Sequence, residues 1–166
     1  MDISELYQIY QAHPVITTDS RDCPEGSIFL ALKGASFDGN KFADMALEKG
    51  CAYVIVDEKE YAKEGDERYI LVEDCLTTFK ELAREHRRHF DIPVVGITGT
   101  NGKTTISQWL GRIHPKKCAI IGTLGAGYAE QMKVTGFTTP EATVLTRYLA
   151  EFADDDAQAC ALEASS

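Results

Sequence analysis

The sequence predicts an α/β protein in two parts, a small N-terminal α/β domain followed by part of a P-loop-type domain with a parallel sheet. Three observations carry that prediction. Apolar strand-like runs alternate with stretches of helical spacing, the pattern of helices packed on a parallel sheet. An apolar run at 94–98 passes directly into the glycine-rich turn Gly99-Thr100-Asn101-Gly102-Lys103-Thr104-Thr105, after which helical spacing begins. Between the parts, Asp91-Ile92-Pro93 reads as a boundary, so domains are expected at 1–91 and 92–166.

In the first part, residues 4–11 suit a short opening helix. Val15 to Thr18 and Ser27-Ile28-Phe29-Leu30-Ala31-Leu32 read as strands, separated by the turn-forming Asp22-Cys23-Pro24-Glu25-Gly26. Phe42, Met45, Ala46 and Leu47 fall at helical spacing, and Gly50 stands where that helix would stop. Ala52-Tyr53-Val54-Ile55-Val56 is apolar without alternation, which predicts a strand covered on both faces. The charged stretch Glu58 to Arg68 reads as an exposed connection, and Tyr69-Ile70-Leu71-Val72 as another strand. Asp74 can cap a helix running to Phe90, with Leu76, Phe79, Leu82 and Ala83 on its buried face.

In the second part, residues 94–98 read as a buried strand, a helix starts near Gly102, and Ala119-Ile120-Ile121 forms the next strand. Thr139-Pro140-Glu141 predicts an N-cap followed by proline at the first helical position. Val144, Leu145, Tyr148, Leu149 and Phe152 would line that helix's buried stripe. Ala159-Cys160-Ala161-Leu162 reads as a last short buried strand, ending at Glu163.

A net charge of −9 argues against nonspecific binding to nucleic acid, which needs a basic surface. A local nest of backbone N–H groups can still hold one anionic nucleotide. No apolar run approaches the roughly 20 residues of a membrane span. Met1-Asp2-Ile3-Ser4-Glu5 lacks the basic and apolar regions of a signal peptide. A cytoplasmic protein with neither a membrane nor a nucleic-acid partner is expected. Cys23, Cys51, Cys75, Cys118 and Cys160 are widely spaced and read as free thiols in a reducing compartment. Glu85-His86-Arg87-Arg88-His89 is not the HExxH zinc pattern and reads as a cationic helix end facing the dipole. His13 and His114 stand alone and read as structural or exposed.

The chemistry concentrates at 94–105. Glycines let the main chain wrap phosphate oxygens closely, and the first N–H groups of the following helix point at them. Lys103, the candidate catalytic residue, brings a positive charge to the β- and γ-phosphates, and the Thr104 hydroxyl can ligate Mg²⁺. Glu163 stands where the acid after a second P-loop strand would help hold that metal. The general P-loop pattern would put its first glycine at position 97, which is Ile97. ATP and Mg²⁺ are the expected ligands.

The run Thr98-Gly99-Thr100-Asn101-Gly102-Lys103-Thr104-Thr105 resembles the ATP loop of the Mur ligase family more than that of kinases or GTPases. Thr18-Asp19-Ser20-Arg21, Gly26 to Gly34 and Asp38-Gly39 are similar to that family's uridine-nucleotide domain. Thr138-Thr139-Pro140 and Glu163-Ala164-Ser165-Ser166 resemble its substrate and metal segments. These motifs, in the same order, span nearly the whole chain. The resemblance implies a small N-terminal uridine-nucleotide-binding α/β domain followed by a partial P-loop-type parallel-sheet ATPase domain; a monomer is expected, although the sequence does not fix the oligomeric state. It also implies an ATP-dependent, amide-bond-forming ligase of peptidoglycan synthesis. In that reaction the terminal carboxylate of a UDP-N-acetylmuramoyl-peptide becomes an acyl phosphate, which the amine of an amino acid or dipeptide attacks.

By the same resemblance Gly99, Thr100, Asn101, Gly102, Lys103, Thr104 and Thr105 would hold ATP, with Thr104 and Glu163 at Mg²⁺. Thr18, Ser20, Ala35, Ser36 and Phe37 would contact the UDP moiety, and Thr138, Thr139 and Ser165 the muramoyl-peptide. The N-terminal domain looks most like the ligase that adds D-alanyl-D-alanine. From Val94 onward, with Ile121-Gly122-Thr123-Leu124-Gly125, the chain looks more like the enzyme that adds the third residue; an unusual homologue and a joined sequence both fit. Phe137 stands where third-residue ligases carry asparagine, and the connection Arg112 to Lys117 is short. The sequence stops inside what would be the central ATPase domain, so an uncovered sheet edge, an apolar helix face and little turnover are expected of it alone. A binding module without catalysis and an unrelated P-loop NTPase are the alternatives, the latter leaving the N-terminal motifs without a role.

Overall fold

The computed structural model describes residues 2–34 and 36–165. They divide into two compact units, Met1–Glu85 and His86–Ser166. The first runs α1 (Ile3–Ala12), β1 (Ile16–Thr17), β2 (Ile28–Leu30), the short strands β3 (Lys33–Gly34) and β4 (Phe37–Asp38), a 3-10 turn at Gly39–Phe42, α2 (Ala43–Glu48), β5 (Tyr53–Val56), a 3-10 turn at Lys59–Tyr61, β6 (Tyr69–Leu71) and α3 (Cys75–Arg87). Its main sheet is parallel throughout, in the order β1-β2-β5-β6. Strands β2 and β5 are central, and Ile28, Phe29, Leu30, Val54, Ile55 and Val56 are almost completely buried, as the unbroken apolar run predicts.

Local chemistry sets the helix starts. Asp2 and Glu5 form a reciprocal capping box at α1, whose Leu6 and Tyr10 are buried. Asp74 accepts from Thr77 N at 2.7 Å and begins α3 as expected. Cys75, Phe79, Leu82 and Ala83 make the buried stripe of α3, whereas Leu76 is exposed, one residue and about 100° off that stripe. The helix stops at Arg87, short of Phe90. The Arg87 guanidinium donates to Phe90 O at 2.6 Å and Ile92 O at 2.8 Å, holding the chain in its new course. Burial, then the charge of His89, lowers the pKa of His86, so that residue contributes little cationic character to the helix end. His13 is structural: Nδ1–H donates to Gly26 O at 2.6 Å and the ring meets Tyr53 edge-on.

The second unit runs β7 (Val94–Ile97), α4 (Lys103–Ile113), β8 (Cys118–Gly122), β9 (Gly125–Tyr128), β10 (Gln131–Lys133), α5 (Ala142–Asp154) and β11 (Ala159–Glu163). Its sheet has the order β10-β9-β8-β11-β7. The parallel part, β8-β11-β7, matches the sequence prediction. The antiparallel extension β8-β9-β10 does not, because Gly125-Ala126-Gly127-Tyr128 offers no alternating apolar pattern. Glycine is required there by close approach, since a Cβ on Gly125 would lie 2.1 Å from Lys133 O.

Two further expectations change. Strand β7 is the terminal strand of its sheet rather than a buried one, with Val94 37% and Val95 48% exposed and only Ile97 buried. Pro140 is not at the first helical position; α5 starts at Ala142 after the cap residue Glu141. The reason is that the Thr139 hydroxyl binds the end of β11 rather than the helix. In α5, Leu149 and Phe152 join the core around Ile92, Ile121 and Cys160, with Leu145 and Tyr148 packed partly against it. Helix α4 lies close on β8, where a Cβ at Gly111 would meet Ile120 Cδ1 at 2.4 Å, and it leaves Ile106, Trp109 and Ile113 exposed. All five cysteines are free. Among the described residues no helix is long and apolar enough to cross a membrane.

Candidate functional site

In the second unit, β7 delivers the chain to the loop at 98–102, which is exposed. Gly99 (φ 137°) and Gly102 (φ 82°) occupy the left-handed region that side chains resist, so both glycines are conformational requirements. Gly102 then caps α4, whose first N–H groups have no intrahelical acceptor and face the loop. Lys103, the first helical residue, folds its ammonium onto Gly99 O at 2.7 Å, spanning the loop from end to start.

Beneath the loop lies Glu163, at the end of β11 and only 1% exposed. Its Oε2 accepts from Thr104 Oγ1 and Thr123 Oγ1, both at 3.0 Å, and its Oε1 from Ser107 Oγ at 2.8 Å. Burial pushes the Glu163 carboxyl up, but the hydrogen bonds from Ser107, Thr123 and Thr104 together outweigh it and leave the pKa below the ordinary glutamate value. The group is therefore an anion surrounded by hydroxyl donors. Gly122 makes room for it: a Cβ there would stand 2.1 Å from Oε1.

The hydroxyl chain continues outward. Thr138 Oγ1 lies 3.1 Å from Thr123 Oγ1. Thr139 Oγ1 donates to Glu163 O at 2.7 Å, accepts from Ser165 N at 2.9 Å and lies 3.0 Å from Ser165 Oγ. The structure thus brings Thr104, Thr138, Thr139, Glu163 and Ser165 together. Sequence reasoning did not assign Thr123 and Ser107 to this site. Thr123 had a signal in Ile121-Gly122-Thr123-Leu124-Gly125; Ser107, one helical turn after Thr104, had only its spacing. One carboxylate ringed by hydroxyls suits Mg²⁺, which takes oxygen ligands, keeps several waters and shares phosphate oxygens. Among the described residues no group of three or more His, Cys, Asp or Glu side chains is gathered.

The first unit holds a separate cavity of about 530 Å³, lined by Thr18, Asp19, Ser20, Arg21, Phe37, Phe42 and Met45. Thr18, Ser20 and Phe37 meet there; Ser36 is exposed and does not line it, and Ala35 lies outside the described residues. Phe42, Met45 and Arg21 join the lining, though helical spacing was the only signal the first two carried. Phe37 and Phe42 stack, ring centroids 5.3 Å apart and planes 11° from parallel. Asp19 grips Arg21 with 2.9 and 2.7 Å bonds, and these hydrogen bonds bring its pKa down to about 2. Lys49 Nζ donates to Ser20 O at 2.7 Å, fixing the turn. A stacked aromatic wall facing a polar, cation-bearing turn is suited to a planar base with an anionic tail. A larger hollow of about 610 Å³ is lined by Asp2, Glu73, Asp74 and Glu81, whose carboxylates repel such a ligand.

Comparison with known proteins converges on one family. A model described as "Mur ligase family, catalytic domain" matches residues 14–87, and one described as "Mur ligase middle domain" matches residues 97–166. The chain is 36% identical over 156 residues to the UDP-N-acetylmuramoyl-L-alanyl-D-glutamate–L-lysine ligase of Staphylococcus epidermidis, covering 91% of this chain and 31% of that protein. It is 37% identical over 158 residues to the corresponding 2,6-diaminopimelate ligase of Vibrio parahaemolyticus, covering 89% of this chain and 32% of that one. Among solved structures, MurF ligase from Thermotoga maritima in complex with ADP superposes with a TM-score of 0.62 at 27% identity, over 93% of this chain and 32% of that one. A 2,6-diaminopimelate ligase superposes with a TM-score of 0.65 at 29% identity, over 92% and 32%. The chain spans about a third of the length of these relatives.

Proposed function

The chain belongs to the Mur ligase family, and on that premise we propose that it carries the uridine-nucleotide and ATP sites of an ATP-dependent ligase that lengthens a UDP-N-acetylmuramoyl-peptide by an amino acid or dipeptide. The observation that carries the reading is the buried Glu163 carboxylate joined to Thr104 and Thr123 directly behind the 98–102 loop. When bound, ATP supplies the phosphoryl group that activates the precursor's terminal carboxylate as an acyl phosphate, and Mg²⁺ offsets the charge of the oxygens involved.

The chain's own residues bind and orient. Gly99 to Gly102 and the start of α4 present backbone N–H groups to the phosphates. Lys103, whose ammonium rests on Gly99 O, would bring its charge to a phosphate oxygen and offset the anionic character of transfer. Thr104 and Glu163 would hold the metal, and Thr123 and Ser107 keep Glu163 ionised and aimed. Thr138, Thr139 and Ser165 offer hydroxyls to the muramoyl-peptide at the outer end of the same network. In the first unit, the stacked Phe37–Phe42 pair offers an aromatic face to the uracil while the Ser20–Arg21 turn meets the diphosphate. The curated relatives favour UDP-N-acetylmuramoyl-L-alanyl-D-glutamate as the precursor. Five free thiols favour the cytoplasm.

Calorimetry tests the reading. UDP and Mg-ATP should each bind, and Ser20→Ala should weaken UDP alone. Binding of Mg-ATP with indifference to any uridine nucleotide would instead indicate an unrelated P-loop NTPase.

A further inference from the structure

We infer that Asn40 is a positioning residue for the uridine pocket, fixing the β3–β4 hairpin, and with it Phe37, through Asp57 and Lys33. This rests on the uridine reading of that cavity. Strands β3 and β4 are two residues each, too short for their own ladder to hold a hairpin in one place. Yet Phe37, half exposed on β4, is stacked squarely on Phe42. Something other than the ladder must set that geometry.

Asn40 lies between the two phenylalanines in the chain and is fully buried. Its side chain uses both ends. Nδ2 donates to Asp38 Oδ1 and Asp57 Oδ1, each at 2.9 Å, and Oδ1 accepts from Asp57 N at 3.1 Å. Asp57 directly follows β5, a central strand, so these bonds tie β4 to the middle of the main sheet. From the other arm of the hairpin, Lys33 Nζ reaches Asp57 Oδ1 at 3.0 Å and Glu58 Oε1 at 3.1 Å. Cys75 N donates to the second Asp57 oxygen at 3.2 Å. Gly39 closes the base of the hairpin: a Cβ there would stand 2.6 Å from Leu32 O, so backbone packs on backbone. Both arms are thereby anchored to one carboxylate. An apolar side chain of similar size at position 40 could fill the space; what the polar group adds is direction, because each bond has a fixed donor and acceptor.

The experiment measures UDP and Mg-ATP affinities of the 166-residue chain and of Asn40→Asp, Lys33→Met and Lys33→Arg, after circular dichroism has shown native melting. Asn40→Asp keeps the shape but removes the amide donor and sets a further carboxylate beside Asp38 and Asp57. Its Kd for UDP should rise about tenfold or more, with Mg-ATP affinity unchanged. Lys33→Met should weaken UDP less, and Lys33→Arg, which can still bridge Asp57 and Glu58, should restore it. A folded Asn40→Asp with unaltered UDP affinity overturns the inference, and so do equal losses for UDP and Mg-ATP. If Asn40→Asp does not fold, equal UDP affinity of Lys33→Met and Lys33→Arg overturns it. Failure of the unsubstituted chain to bind UDP is a distinct result: it sinks the uridine reading itself and this inference with it.

Discussion

Thr104 Oγ1 and Glu163 Oε2 meet at 3.0 Å although 59 residues separate them in the chain. The contact joins the first turn of α4, which follows the glycine loop, to the end of β11, which pairs with the strand that precedes it. Neither side chain is fully committed to it, since a hydroxyl oxygen and a carboxylate can both turn to a cation. Glu163→Gln keeps the shape and removes the charge. The Mg²⁺-dependent part of ATP affinity should fall about tenfold or more, with metal-free ATP binding little changed. Titrations with and without Mg²⁺ separate the two; an unchanged Mg²⁺ response would remove Glu163 from the metal site.

The same carboxylate sets a stability constraint. Gly122→Ala would place a methyl group 2.1 Å from Glu163 Oε1, in a side chain pinned by three hydroxyls. Overpacking of this kind costs about 1–3 kcal/mol. Thermal melting should show a lower Tm, and Gly122→Ala should cost less in a Glu163→Ala background than in the native chain.

At Gly102 a Cβ would meet nothing within 4 Å, so only the backbone is at stake. Its φ of 82° makes Gly102→Ala strained by about 1–2 kcal/mol. Asparagine tolerates this region better, so Gly102→Asn should melt above Gly102→Ala. The reverse order in melting curves would contradict the loop geometry.

Stability should depend on acid through Glu163. Its folded-state pKa lies below the ordinary glutamate value, so the unfolded chain takes up the proton first as pH falls. The stabilisation is fully present above about 4.3, the unfolded value, and disappears as pH drops through the lower folded-state value. Denaturant melts across the acid range should show this slope in the native chain and a shallower one in Glu163→Gln.

Thiol chemistry offers an independent check on burial. Burial pushes Cys75 and Cys160 up to about 12, and burial together with Cys51 raises Cys23 to about 11. A thiolate-seeking reagent at neutral pH should label the native chain slowly, with half-buried Cys23 first and faster as pH rises. All five cysteines should react in denaturant. Rapid labelling of Cys75 or Cys160 before unfolding would contradict the packing of either unit.

Much of this was legible in the sequence because it depends on neighbours in the chain. The unbroken run Val54-Ile55-Val56 announced a central strand, Asp74 a helix start, and Gly99 to Thr105 a glycine turn between strand and helix, each through local dihedral preference or local burial. Legibility failed where distant partners decide. Val94 and Val95 read as core, but their exposure depends on β7 being the terminal strand, which is a property of strand order. Thr139 read as a helix cap, and the end of β11 claimed its hydroxyl instead.

The chain by itself determined the alternation of strands and helices, the bend that glycine alone can make at positions 99 and 102, and the polar turn at 18–21. Only the tertiary structure decided that Thr123 and Ser107 serve Glu163, and that Asn40 and Lys33 converge on Asp57. The division has a physical cause. Backbone conformation is governed by residues a few positions apart, which leave a periodic trace, whereas a hydrogen bond between remote side chains exists only once the sheet has set their separation.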